Sequence, residues 1–138
     1  MSNTAKIDAT ILAIDYGEKR IGLAIKKSSH TTVTTLNYIL NQERSLDDLQ
    51  KIVDDFKIER IVLGLPRGLD GQKTNQTDAV EAFGERLAKV VGVDIVYQDE
   101  TLSSEEAVRR LPKGLTAKQQ RERIDSEAAK VILEDYLL

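Results

Sequence analysis

Three acidic residues stand where the chain could hold a carboxylate rigidly enough for chemistry. Asp15 closes the apolar run 11–14, at a position where a buried strand would favour another Val or Ile. Glu100 follows the predicted strand 93–97, and Asp125 lies beside the apolar stripe of a predicted helix. We expect these carboxylates to converge without a basic partner, which is unfavourable unless a cation lies among them. The pattern therefore predicts a divalent metal site.

The composition narrows the chemistry of such a site. The chain has no cysteine, which excludes a thiolate zinc site and a cysteine nucleophile. Its one histidine, His30, lies among Ser and Thr and is predicted to be a surface residue, so a Ser-His-Asp triad has little support. Carboxylate oxygens select Mg²⁺ or Mn²⁺, and two such ions can clamp the attacking water and the leaving oxygen of a phosphodiester. The expected nucleophile is a water molecule activated by metal.

The same residues allow a simpler interpretation. Asp15 could cap the turn of an ordinary hairpin, because Asp and Gly are common turn residues. Glu100 and Asp125 could be surface acids, of which a chain with 23 acidic residues has many. Residue types and spacing leave both interpretations open.

Basic residues are concentrated in residues 109–123, which carry six cations and the single acid Glu122. Because the whole chain has a net charge of −3, this local +5 leaves −8 on the remainder. The segment is either a phosphate-binding arm or a solvated basic loop. Its basic residues are Arg109, Arg110, Lys113, Lys118, Arg121 and Arg123.

A second candidate for anion binding is the loop 66–76, which carries Arg67, two glycines and Lys73. It resembles a loop that presents a helix N-terminus to an anion. It lacks the Walker pattern, so a P-loop is not supported, and a simple polar connection is the alternative.

The elements that must position these residues follow from hydrophobic periodicity. Residues 11–14 and 21–25 flank a glycine-containing turn and predict a central hairpin, with Gly22 leaving room for a close backbone approach. Residues 31–39 predict an edge strand. Two further strands are predicted at 60–65 and 93–97, and helices at 45–56, 77–91, 103–111 and 117–136.

This order predicts an α/β fold with a five-stranded mixed sheet, in one domain over residues 1–138. A three-strand meander is followed by two right-handed βαβ crossovers, with helices on both faces. Strands one, four and five are then parallel, so Asp15 and Glu100 leave the sheet at the same edge. Asp125 can face them from the final helix, whose alanines 128 and 129 allow close packing on the sheet.

The composition, 41% hydrophobic and 31% charged, is typical of a globular protein. The sequence has no run of about 18 apolar residues, and residues 1–8 are polar. We therefore expect a cytoplasmic protein that does not engage a membrane.

The order of elements is that of the ribonuclease H-like fold. More closely, the chain resembles the YqgF (RuvX-like) family of Holliday-junction resolvases, also described as pre-16S rRNA nucleases. The matching segments span nearly the whole chain: 14–22 (IDYGEKRIG), 61–66 (IVLGLP) with 70–71 (DG), 99–100 (DE), and 124–129 (IDSEAA) with 132–133 (IL).

The resemblance implies a metal-dependent nuclease that acts on structured nucleic acid, with Mg²⁺ or Mn²⁺ as cofactor. It implies that Asp15, Glu100 and Asp125 are catalytic metal ligands and that Lys19 and Arg20 lie near the nucleic-acid backbone. The expected substrate is an rRNA precursor, with branched DNA as the alternative. The oligomeric state is left open between a monomer and a weak homodimer.

Two departures from the family pattern concern nucleic-acid binding more than catalysis. Thr101 replaces the usual Arg after the Asp-Glu pair, and residues 26–28 (KKS) replace the usual Ser-Asp at the end of the second strand.

The sequence is also compatible with two other functional classes. Actin-like and sugar-kinase ATPases share the fold unit, but they need two such units around the nucleotide. A non-enzymatic ribosome-assembly or RNA-binding factor could have kept the fold without the chemistry.

Overall fold

The computed structural model describes residues 8–66, 71–100 and 103–138, apart from the side chains of residues 103 and 104. The strands are β1 (Ile11–Tyr16), β2 (Arg20–Lys26), β3 (Thr34–Leu40), β4 (Arg60–Leu65) and β5 (Asp94–Asp99). The helices are α1 (Ser45–Phe56), α2 (Asn75–Ala88), α3 (Ser103–Arg110) and α4 (Ala117–Leu137). Within the described ranges, every helix is too short or too polar to cross a lipid bilayer.

The strands form one five-stranded sheet in the order β3-β2-β1-β4-β5. β2 is antiparallel to both β1 and β3, whereas β1, β4 and β5 run parallel to one another. The predicted meander followed by two crossovers is therefore confirmed, with β1 at the centre and β3 at an edge. Because β1, β4 and β5 are parallel, their carboxyl ends meet at one edge of the sheet.

Both faces of the sheet are covered, as the apolar strands predict. One face packs against α1 and α2 in a cluster that includes Leu12, Leu23, Leu49, Leu63 and Phe83. The opposite face packs against α4 in a smaller cluster with Ile11, Ala13, Ala24, Val62, Ala129 and Ile132. The sheet positions are therefore fixed from both sides, which makes the strand ends a rigid support.

Several element boundaries differ from the sequence prediction, among them the start of β3 at Thr34 instead of 31 and the end of α2 at Ala88 instead of 91. Two of the differences have identifiable reasons. Helix α2 begins at Asn75, not 77, because Thr74 is its N-cap. The Thr74 hydroxyl accepts a hydrogen bond from the Thr77 amide at 3.3 Å, and the Thr77 hydroxyl accepts one from the Thr74 amide at 3.0 Å. Strand β5 extends to Asp99 because it stays paired with Leu65 of β4.

The end of β2 at which residues 26–28 depart from the family pattern lies away from the predicted acids. Lys26 is fully buried and pairs with Ile11 at the start of β1, whereas Asp15 pairs with Gly22 near the other end. Burial lowers the pKa of the Lys26 ammonium, which donates a hydrogen bond to the Lys27 carbonyl at 3.1 Å. This departure from the family pattern therefore lies at the opposite end of the β1–β2 pair from Asp15.

Candidate active site

Asp15 lies near the end of the central strand, between two glycines on the neighbouring strands. It pairs with Gly22 of β2. On the other side Ile14 pairs with Leu63 of β4, so Asp15 and Gly64 are the next neighbours in register. Because both flanking positions lack a side chain, other parts of the chain can approach the Asp15 carboxyl closely.

Helix α4 uses the space at Gly22. A Cβ atom at this position would lie 1.9 Å from the backbone carbonyl oxygen of Asp125 and 2.7 Å from the amide nitrogen of Ser126. The helix backbone therefore rests directly on β2. The predicted close approach at Gly22 is confirmed, and it brings Asp125 to the strand that is paired with Asp15.

Glu100 uses the space at Gly64. A Cβ atom there would lie 3.1 Å from the Glu100 Oε2 atom and 2.5 Å from the Ile132 Cδ1 atom. The Glu100 amide donates a hydrogen bond to the Leu65 carbonyl at 3.2 Å, which continues the β4–β5 ladder one residue past β5. Backbone pairing thus holds the Glu100 carboxylate beside Asp15.

The electrostatics of Asp15 show that the three acids share one site. Desolvation by burial is the main reason that the pKa of Asp15 is raised well above its usual value, followed by the negative charges of Glu100 and Asp125. A hydrogen bond between the Asp15 and Glu100 carboxyls adds to this shift, and such a bond requires a proton between them. The structure therefore brings the three predicted acids together.

Asp125 has a basic partner that the sequence analysis missed. The Nε atom of Arg20 donates a hydrogen bond to the Asp125 Oδ2 atom at 2.8 Å, and the two side chains are only 26% and 21% exposed. The expectation that the acids converge without a basic partner is therefore wrong. Arg20 is the first residue of β2, two residues before Gly22. Because α4 packs closely at Gly22, Asp125 lies within hydrogen-bond distance of the Arg20 guanidinium.

Ser126 fixes α4 to the sheet next to Asp125. Its hydroxyl accepts a hydrogen bond from the Leu23 amide of β2 at 3.3 Å and donates one to the Leu36 carbonyl of β3 at 2.7 Å. The β2–β3 register shifts between Ile21 and Leu23, so a helix side chain bridges a gap in the ladder. Sequence reasoning missed this role, although a serine beside the alanines of an apolar helix stripe was a signal.

We expect Ser126→Ala to weaken divalent-metal binding about tenfold, because it removes the anchor that orients Asp125. Ser45→Ala is the matched control: Ser45 is equally buried, and its hydroxyl also joins two backbone groups, at Gln42 and Leu40, in a turn outside the candidate site. Both changes should cost about 1–3 kcal/mol of unfolding free energy. Only Ser126→Ala should alter Mn²⁺ affinity measured by calorimetry; equal affinities in the two variants would contradict the anchoring role.

The donor set fits a divalent cation in charge and type, since three carboxylates supply hard oxygen ligands. In the described part of the chain, however, no three acidic or histidine side chains already surround one point as ligands. Asp15 and Glu100 are close enough to share a hydrogen bond when one of them is protonated, and Asp125 gives one oxygen to Arg20. Asp125 would therefore join a metal site through its other oxygen or by leaving Arg20.

The predicted nucleic-acid residues near the hairpin have different surroundings. Lys19 is exposed in the turn between β1 and β2, four residues after Asp15. Arg20 is the partner of Asp125 described above. Arg67 lies outside the described residues, as does Thr101. Contact of these side chains with nucleic acid stays a prediction.

The predicted basic segment begins on α3, where its first two arginines are neutralised. Arg109 pairs with Glu106 at 2.6 Å, and Arg110 pairs with Glu106 at 3.4 Å and with Glu134 of α4. Lys113 is exposed between α3 and α4. A role for Arg109 and Arg110 in binding phosphate would require them to exchange these intramolecular partners.

Comparison with known proteins gives one family and close relatives. The family model described as "RuvX: Holliday junction resolvase" matches residues 9–138. A protein of Burkholderia multivorans is 35% identical, covering 99% of this chain and 94% of its own. One of Orientia tsutsugamushi is 40% identical, covering 96% and 86%. Both relatives are provisionally named pre-16S rRNA nucleases.

Solved structures with the same fold include two Holliday junction complexes. Thermus thermophilus RuvC with its junction substrate superposes with a TM-score of 0.57 at 12% identity, covering 93% of both chains. The Fowlpox virus resolvase with junction DNA gives 0.55 at 10% identity, covering 94% of this chain and 99% of its own. At these identities the likeness shows the fold alone, which is the predicted ribonuclease H-like fold.

Proposed function

Since the chain belongs to the RuvX family of Holliday junction resolvases, we propose that it is a metal-dependent nuclease that hydrolyses phosphodiester bonds in a structured nucleic acid. The observation that carries the proposal is the meeting of Asp15, Glu100 and Asp125 at the end of the central strand. A group of acids that holds divalent cations can promote phosphodiester hydrolysis without a cysteine nucleophile or a histidine base.

The three acids would hold one or two divalent ions. When bound, such ions supply an activated water and stabilise the charge that develops on the phosphate. Asp15 is the most firmly held ligand, because β1 is paired on both sides and covered on both faces. Glu100 is held by backbone pairing to β4, and Arg20 orients Asp125. Arg20 also places a cation at the rim of the site, where a substrate phosphate would lie.

The substrate that we propose is a precursor of 16S rRNA, and the inferred location is therefore the cytoplasm. Support comes from the relatives, which carry that substrate in their name at 35% and 40% identity over nearly the whole chain. Junction DNA is the second candidate, and the family description supports it.

The test is cleavage of both substrates by the same preparation of protein. A 16S rRNA precursor with its 5′ extension and a four-way DNA junction are each incubated with Mg²⁺, with Mn²⁺ and with EDTA. We expect cleavage of the precursor RNA with either metal and none with EDTA. Glu100→Gln is the matched variant, since it keeps the shape of the side chain and removes one ligand charge.

Each alternative function predicts a different result. Faster cleavage of the junction would favour the resolvase candidate. Tight RNA binding without cleavage under any condition would favour a non-catalytic assembly factor. Metal-dependent hydrolysis of ATP alone would favour the ATPase class and contradict the proposal.

A further inference from the structure

A polar cleft opens between the edge strand β3 and helix α4, close to the candidate active site. Its volume is about 420 Å³, within the usual range for pockets that bind small molecules. β3 supplies one wall, the turn after α3 closes one end, and α4 supplies the other wall. The lining includes Asn37, Tyr38, Glu122, Arg123, Ser126 and Glu127.

The cleft adjoins Asp125, one of the three acids. Ser126 lines the cleft and directly follows Asp125, and its hydroxyl is bonded to the Leu36 carbonyl, which belongs to the opposite wall. Glu122 and Arg123 lie one turn or less before Asp125 on the same helix. A strand whose phosphate lies at the acids can therefore place its adjacent nucleotide in the cleft.

The lining favours a base over a phosphate. Glu122, which pairs with Lys118 at 3.9 Å, and Glu127 place two carboxylates in the cleft, and Glu127 in particular would repel a phosphate group. The same oxygens can accept hydrogen bonds from the amino and imino groups of a base, and Asn37 adds an amide with both a donor and an acceptor. Tyr38, half-buried on β3, offers an aromatic ring on which a base can stack.

Arg123 supplies a positive charge for the nucleic-acid phosphate next to such a base. It is exposed at the cleft, and among the described residues no carboxylate lies within ion-pair distance of it. By contrast, Arg110 and Lys118 on the same basic segment are paired with acids. Arg123 can therefore contact a phosphate without giving up an intramolecular partner.

We propose that this cleft binds one unpaired nucleotide of the substrate strand, next to the phosphate that is cleaved. The inference rests on the proposed function and deepens it, because a base can enter the cleft only where it is not paired and stacked within a duplex. It therefore favours a single-stranded segment of an RNA precursor over a fully paired junction.

The test is a binding scan with short single-stranded RNAs in EDTA, where cleavage is suppressed. One abasic nucleotide is moved along the strand, and each affinity is measured by fluorescence anisotropy at one fixed salt concentration. The parent protein should lose about tenfold in affinity when the abasic site reaches one particular position, the loss expected for one stacked base. Tyr38→Leu should bind the intact strand about tenfold more weakly and show no further loss at that position.

Two charge variants distinguish binding in the cleft from general electrostatic attraction between the protein and the RNA. Arg123→Gln and Arg121→Gln remove the same charge from α4, but Arg121 lines the neighbouring groove with Val108 and Ile124. We expect both variants to bind more weakly, with only Arg123→Gln reducing the abasic effect. An abasic scan that is flat in the parent would overturn the inference while leaving the nuclease proposal standing. Failure of the parent to bind any strand, together with failure to cleave, would overturn both.

Discussion

Asp15→Asn is expected to lower phosphodiester cleavage on the order of 10⁴-fold, the scale seen when an essential catalytic carboxylate is removed. The amide keeps the shape of the side chain but lacks the charge that would hold a divalent ion. Asp15 adjoins both other acids and lies on the central strand of the sheet. Cleavage of the rRNA precursor with Mn²⁺ is the measurement. Asp94→Asn, an exposed acid at the opposite end of the sheet, is the control and should retain full activity.

The same substitution should stabilise the metal-free protein at neutral pH. The pKa of Asp15 is raised in the folded state from its usual value of 3.8, so the folded state retains a proton that the unfolded chain releases. The stability of the metal-free parent therefore falls as pH rises from about 4 towards the raised pKa, and Asp15→Asn lacks this part of the pH dependence.

Denaturant unfolding in EDTA between pH 4 and pH 8 checks the sign of this effect. We expect Asp15→Asn to be more stable than the parent at pH 8 by about 1 kcal/mol or more. Added Mn²⁺ should stabilise the parent and leave the variant unchanged. A variant that is less stable than the parent at pH 8 would show that the acids do not repel one another in the folded protein.

Gly22→Ala is expected to have the second largest effect, because it separates α4 from the sheet. The new methyl carbon would lie 1.9 Å from the Asp125 carbonyl oxygen, and that atom belongs to helix backbone and cannot rotate away. The helix must shift, and Asp125 shifts with it. We expect a loss of about 3 kcal/mol in unfolding free energy. Cleavage should fall about 10²-fold, as expected for a displacement of about 1 Å at a catalytic group.

Gly92→Ala is the matched control for this prediction. Apart from the two neighbouring residues, no atom of the described chain lies within 4 Å of a Cβ placed at Gly92, whose backbone is not left-handed. The control should therefore match the parent in stability and in cleavage, or be slightly more stable. If Gly22→Ala behaves like Gly92→Ala in both measurements, the close contact between α4 and β2 is not what positions Asp125.

Local sequence pattern predicted the sheet and the place of Asp15. Continuous apolar runs, which do not suit a sheet with one solvent-exposed face, predicted the central strands. A carboxylate at the end of such a run indicated the site. Gly22 was identified as a point of close approach for the same reason. These inferences succeed because they depend on a few neighbouring residues and on the period of the strand.

The remaining features of the site depend on contacts between distant segments. Arg20 and Asp125 are 105 positions apart, and no local pattern indicates which of 20 basic residues will meet that acid. The role of Gly64, which leaves room for the Glu100 side chain, becomes clear only when β4 is paired with β1. The structure brings Glu100, the residue named in the sequence analysis, next to Asp15, whereas the adjacent Asp99 is exposed.

The serine bridge between β2 and β3 has a consequence for the order of folding. The Leu23 amide and the Leu36 carbonyl both bind the hydroxyl of Ser126, which is separated from them by 103 and 90 positions. During synthesis the meander therefore emerges with this gap in its ladder open, and the gap closes only when the residues of α4 arrive. Such long-range closure slows folding, because chain entropy is lost before the contact forms. The segment that closes the ladder also carries Asp125, so a nascent chain completes its sheet and acquires its third acid in the same step.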